Sequence, residues 1–246
     1  MNNETRPEKE NNLSLRVSGL VKDYGKKRAV NGVDIEVKRG DIVGLLGPNG
    51  AGKTTIFYSV MGIIAPTSGK IFLGDADISG MPVYRRALEG IGYLAQEPSI
   101  FRGLSARENL SAVAQFTGAD KNERTDEIME EMGISHCAGT KASNLSGGEK
   151  RRVEISRILL ANPSFLLLDE PFVGIDPIAV SELKRIVIGF KKRNIGVLIT
   201  DHNVRETLKI IDSAYIIHKG RILIHGTSSQ LLNSAEARKI YLGEDF

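Results

Sequence analysis

The chain of 246 residues is expected to be an α/β protein built on a mainly parallel core sheet, with an antiparallel β subdomain and an inserted α-helical subdomain. Three observations carry that expectation. Short, continuously apolar runs alternate with helical patterns through most of the chain, as in sheets buried on both faces. Residues 13–20 and 31–40 instead alternate apolar and polar, as strands with one solvated face do. Residues 102–143 carry helical periodicity with no strong strand pattern between the helices.

Taken in order, residues 1–12 (MNNETRPEKENN) are polar, lack the apolar core of a secretion signal and are expected to be a disordered extension. One domain is expected over 13–246. LSLRVSGL (13–20) and NGVDIEVKRG (31–40) read as antiparallel strands. DIVGLLG (41–47) is a buried strand that runs into a glycine-rich turn and a helix from about Lys53 to Gly62. IGYLA (91–95), FLLLD (165–169), GVLIT (196–200) and SAYIIHKG (213–220) are further buried strands, with helices at 147–161 and 178–193. LSARENLSAVAQF and ERTDEIMEEMGI supply the helices of the subdomain at about 102–143. A strand and two short helices, the latter over about 227–242, close the chain.

Bulk composition narrows the function classes. With 33 Lys+Arg against 30 Asp+Glu, the charge is nearly balanced and gives no nucleic-acid signature. The basic clusters at 26–28, 150–152 and 191–193 lack interleaved aromatics and read as solvated faces. The single cysteine, Cys137, excludes an intramolecular disulfide and reads as a small buried apolar residue in a reducing compartment. No run approaches the length of a bilayer span, so the expected location is the cytoplasm.

GPNGAGKTT (47–55) matches G-x-x-x-x-G-K-[ST] between a buried strand and a helix. Gly47, Pro48, Asn49, Gly50, Ala51 and Gly52 form a loop whose N–H groups turn toward phosphates, and the following helix N-terminus adds favourable partial charge. Lys53 supplies a point charge on the phosphates, the Thr54 hydroxyl is a Mg²⁺ ligand, and Thr55 completes the motif. FLLLDEP (165–171) places two acids at a strand's carboxyl end. Asp169 suits the Mg²⁺ shell, and Glu170 is suited to orient and polarise an attacking water. ATP and Mg²⁺ are the expected cofactors. In NLSGGEKRR (144–152), Ser146, Gly147 and Gly148 open a helix as a second phosphate-binding N-terminus. One γ-phosphate does not need two such cradles from one chain, so the second is expected to cover the ATP of a partner subunit.

With that motif the chain resembles the ATP-binding-cassette ATPases, whose signature is LSGGQ; here Glu149 stands in place of the glutamine. The resemblance covers nearly all of residues 13–246 and implies further roles. Tyr24 matches the aromatic that stacks on adenine, although a strand-surface tyrosine remains the plain alternative. Gln96 in YLAQEP matches the glutamine that senses Mg²⁺ and the γ-phosphate. Asp176 in GIDP matches the loop crossing the dimer interface, and His202 in ITDHN matches the switch histidine. His136, His218 and His225 are read as structural. Phe101 and Arg102 resemble groove residues that receive a membrane partner's coupling helix; the alternative is that Phe101 packs inside the helical subdomain.

Within the family, residues 84–110, 153–177, 198–208 and the ending ARKIYLGEDF (237–246) resemble the ATPase subunits of lipopolysaccharide export. That implies a homodimer docked on two membrane subunits at the cytoplasmic face of the inner membrane. The alternatives are the ATPase of a branched-chain amino acid importer and a non-transport cassette protein of DNA repair or translation. For the tail, Glu244, Asp245 and Phe246 either contact the other protomer or form a loose terminus.

Overall fold

A computed structural model describes residues 13–117 and 121–233. The extension at 1–12, the ending 237–246 and most of the closing helical segment expected at 227–242 lie outside the described residues. The elements run β1 (Ser14–Tyr24), β2 (Lys27–Lys38), β3 (Ile42–Leu46), α1 (Lys53–Met61), β4 (Ser68–Leu73), β5 (Ala76–Asp77), α2 (Val83–Leu88) and β6 (Ile91–Leu94). Then come α3 (Ala106–Thr117), α4 (Lys121–Glu131), α5 (Gly147–Leu159), β7 (Phe165–Asp169), α6 (Pro177–Gly189), β8 (Gly196–Asp201), α7 (Val204–Leu208), β9 (Ser213–His218), β10 (Arg221–Thr227) and α8 (Ser228–Asn233).

Two sheets result. The first, ordered β2-β1-β4-β5, is antiparallel throughout. The second is ordered β10-β9-β3-β8-β7-β6 and is parallel except where β10 pairs antiparallel with β9. The α/β class and its mixed core sheet are therefore as expected from sequence. All five residues of β3 and of β7 are buried, which is what continuous apolar runs specify. In β2 the stretch from Val33 to Lys38 alternates buried and exposed, the pattern of a strand with one wet face.

Helix α1 lies between the sheets, packing on β1, β2 and β7, with Ile56, Phe57, Val60 and Met61 buried. Its carboxyl end meets Arg86 of α2, a fully buried guanidinium that donates to the Ser59, Val60, Ser79 and Met81 carbonyls. A cation there answers the negative end of the helix dipole and its orphan carbonyls. On the other side of the core sheet, α3 and α4 pack on each other and on α5 through Leu110, Ala114, Ile128, Met129 and Val153. The short elements β4, β5, α2 and α7 follow no long apolar run and had no counterpart in the sequence reading.

Candidate active site

Strands β3, β8, β7 and β6 lie side by side, so their carboxyl ends share one edge of the sheet. Open α/β sheets gather their ligands at such an edge. β3 leads into residues 47–52, β8 into His202, β7 ends on Asp169 just before Glu170, and β6 precedes Gln96. Register holds these ends level: Leu46 pairs with Asp201, Asp169 with Thr200, and Leu94 with Leu168.

The loop after β3 contains positions that need to be glycine. A Cβ on Gly47 would stand 2.3 Å from the Ile217 carbonyl oxygen of β9. Gly52, at φ +112°, is the N-cap of α1 and brings no side-chain acceptor to the helix N-terminus. The first-turn N–H groups are thus left to an anion. Lys53 folds back over the loop, its Nζ donating to the Gly47 carbonyl at 2.6 Å and to the Pro48 carbonyl at 3.2 Å. Burial pushes its ammonium below the ordinary lysine pKa, while the acids Glu170, Asp169 and Asp201 pull the other way.

Asn49, Gly50, Gly52, Lys53, Thr54 and Thr55 line a cleft of about 680 Å³ together with Tyr24, Gln96 and Glu170. Lys27, Arg28, Ala29 and Lys219 complete it, so four cations face one carboxylate, a lining suited to a polyphosphate. Pro48 and the buried Ala51 belong to the loop's frame, the Ala51 N–H donating to the Pro48 carbonyl at 3.1 Å. Tyr24, 49% exposed at the end of β1, has the Lys22 ammonium 5.3 Å from its ring centre.

The two acids are held by one hydroxyl. Thr200, fully buried on β8, donates to Asp169 Oδ1 at 2.6 Å and accepts the Glu170 N–H at 3.0 Å. Glu170 sits at φ +45°, and its Oε2 accepts from Gln96 Nε2 at 3.0 Å. His202 Nδ1 is 3.9 Å from that same oxygen and 3.5 Å from Asp201 Oδ1. Asp201, buried, accepts from the Thr207 hydroxyl at 2.6 Å and from the Asn203 N–H at 3.0 Å. Asp169 does not line the cleft; it lies buried beside Tyr93, whose phenol burial and then Asp169 keep from ionising. One edge thus assembles Lys53, Asp169, Glu170, Gln96 and His202.

Ser146, Gly147, Gly148 and Asp176 do not line that cleft. They form a second surface where α5 and α6 begin. Ser146 caps α5 in a capping box with Glu149, and Asp176 Oδ1 caps α6 by accepting from Ile178 N–H at 3.1 Å and Ala179 N–H at 3.0 Å. A Cβ on Gly148 would lie 2.5 Å from Ala179 Cβ, so these helix starts touch through glycine. Phe101 is 46% exposed on the loop before α3, with the Arg157 guanidinium 4.4 Å above its ring; neighbouring Arg102 is exposed. Asn109, buried on α3, accepts the Phe101 N–H at 2.9 Å and donates to its carbonyl at 3.0 Å.

The basic cluster at 26–28 is exposed, as expected from sequence, but also borders the cleft, whereas the cluster at 150–152 is not wholly a solvated face. Lys27 and Arg28 line the cleft, and Arg151 is buried. The helical period places Arg151 on the inner face of α5 with Gly148, Ile155 and Leu159. Its guanidinium donates to the carbonyls of Ala95, Asp169 and Pro171, tying the ends of β6 and β7 to α5, and it pairs with buried Glu154 at 3.2 Å. Thr200, Asp201 and Lys219 were also missed. For Thr200 and Asp201 the available signal was a pair of polar residues closing an apolar run, on the strand that pairs directly with β3.

A phosphate loop on one buried parallel strand, with acids at the end of another, defines a P-loop nucleoside triphosphate hydrolase. The family described as ABC transporter matches residues 30–173, and the chain belongs to it as an ATP-binding, ATP-hydrolysing subunit. It is 52% identical over 236 residues to a "Probable ABC transporter ATP-binding protein" of Azorhizobium caulinodans, covering 95% of this chain and 84% of that one. It is 50% identical over 237 residues to the "Lipopolysaccharide export system ATP-binding protein LptB" of Escherichia coli K12, covering 95% and 98%. A nucleotide-free ATP-binding cassette from an ABC transporter superposes with TM-score 0.85 at 28% identity, covering 94% of this chain and 100% of that one. Another such cassette, in an ADP conformation, gives 0.85 at 28% identity over 94% and 99%. Among the described residues, no helix is long and apolar enough to cross a membrane.

Proposed function

We propose that this chain powers lipopolysaccharide export, working as an ATP-sandwich homodimer docked on two membrane subunits at the cytoplasmic face of the inner membrane. The observation that carries this reading is the 50% identity to the E. coli export ATPase, running across 98% of that protein.

The site residues take roles that their positions suit. Tyr24 stacks on the adenine, while the N–H groups of 47–52 and the Lys53 ammonium hold the phosphates. Mg²⁺ would be held from the cleft by the hard oxygens of Thr54 and Gln96, with the buried Asp169 carboxylate behind them, and would neutralise phosphate charge. Glu170 orients the attacking water and takes up its proton, with Gln96 aiming the carboxylate at 3.0 Å. His202, held between Asp201 and Glu170, contacts the γ-phosphate. Ser146, Gly147 and Gly148 of one protomer cover the ATP held by the other, which accounts for their separation from the cleft within one chain. Asp176 sits beside them in the same dimer contact. Gln96, Phe101 and Arg102 receive the membrane subunits.

Copurification from membranes tests the assignment. Retention of two permease subunits together with lipopolysaccharide supports it. Retention of a branched-chain amino acid permease instead would replace export by import.

A further inference from the structure

Next to the signature turn, three metal-binding side chains converge that the nucleotide chemistry does not use. His136 and Cys137 lie in a 3₁₀ turn, Ser135–Cys137, and Glu149 is the third residue of α5. The donor atoms of His136, Cys137 and Glu149 all lie within 4.8 Å of one another. We propose that these three residues form a binding site for Zn²⁺ or a similarly thiophilic divalent ion.

The donor set of imidazole nitrogen, thiolate sulfur and carboxylate oxygen is one that zinc takes, with a fourth position left for water. Two ligands about 2.1 Å from a tetrahedral ion stand roughly 3.4 Å apart. His136 Nε2 and Glu149 Oε1 are already 3.0 Å apart, so the pair needs only a small opening. Glu149 is oriented in advance: its other oxygen, Oε2, accepts the Ser146 N–H at 2.8 Å and the Ser146 hydroxyl at 2.7 Å. A carboxylate held in this way through its second oxygen is how metal ligands are commonly aimed. His136 is exposed and Cys137 is buried, so the ion enters from solvent and the sulfur forms the floor of the site. The Cys137 thiol donates to the Ile134 carbonyl at 3.2 Å, and coordination releases that proton to solvent. The nearby cation Arg152 is neutralised by Glu182 at 3.1 Å. A bound ion would fasten the turn after α4 to the capping box of α5.

Co²⁺ titration of the purified full chain, followed by absorption, tests the site. Cys137 is the only cysteine in the sequence, so a sulfur-to-cobalt charge-transfer band can arise nowhere else. The nucleotide site offers oxygen donors and gives no such band. We expect a band that saturates at one Co²⁺ per chain and is displaced by Zn²⁺. Cys137→Ser should abolish it. His136→Ala, a surface change that leaves the fold intact, should weaken Co²⁺ binding by about tenfold or more. A wild-type protein without the band, or a band whose affinity His136→Ala leaves unchanged, would overturn the proposal.

Discussion

At Glu170 the backbone adopts φ +45°, a left-handed conformation that costs a non-glycine residue about 1 kcal/mol or more. The Thr200 hydroxyl offsets that cost by accepting the Glu170 N–H while donating to Asp169. A single buried oxygen therefore holds the Asp169 carboxylate and the Glu170 backbone. Thr200→Val keeps the shape and deletes the oxygen, leaving the Glu170 N–H and Asp169 Oδ1 without this partner. We expect kcat to fall about 10- to 100-fold, since small misplacements of reacting groups cost that much, with ATP affinity largely kept. Thr200→Ser should restore most of the rate. Equal rates for the Val and Ser variants would remove Thr200 from the role of positioning residue.

At the scale of elements, the start of α5 illustrates how local chemistry sets a helix terminus. Hydrogen bonds from the Ser146 hydroxyl and N–H hold the Glu149 carboxyl down at about 2, against an ordinary 4.5, and His136 adds to the effect. Because the folded pKa is depressed, this stabilisation is complete above about pH 4.5 and is lost as pH falls toward about 2. Glu149→Gln should therefore flatten the acid-side fall of Tm across that window; thermal melts at stepped pH values read it. Ser146→Ala should cost about 1 kcal/mol at neutral pH in chemical denaturation. Elements of this kind were also where the sequence was most readable. β3 and β7 were legible because burial on both faces leaves a continuous apolar run, and α1 because the glycine loop announces its start. α2 and α7, of six and five residues, are too short to show a helical period, and β5 has only two residues. Lys53, Asp169 and Glu170 were legible because they stand in contiguous motifs. The contribution of Thr200 was not, because it depends on the pairing of β8 with β7, which is a property of sheet order. Arg151 was hidden for a similar reason: a charged residue reads as solvated until the folded helix shows which face it lies on.

For the whole molecule, the cleft and the signature surface are separate regions of one chain, and α5 connects them. Its first turn carries Ser146 to Gly148, and its Arg151 holds the strand ends that present Gln96, Asp169 and Glu170. On the proposed reading, α5 is the element that would link the nucleotide cleft to the dimer contact. Phe101, anchored by Asn109 and capped by Arg157, presents a half-exposed aromatic in the loop that follows Gln96. Phe101→Ala should leave ATP turnover of the isolated chain at the wild-type rate and reduce its recovery with membrane subunits in pull-downs. Undiminished recovery would place the docking surface elsewhere. The most direct test of the central claim, that this chain hydrolyses ATP with Glu170 acting on the water, is ATP turnover by Glu170→Gln measured beside ATP binding. The account predicts a rate reduced by at least about 100-fold with binding retained and an ATP-dependent dimer accumulating. Turnover near the wild-type rate in that variant would contradict it.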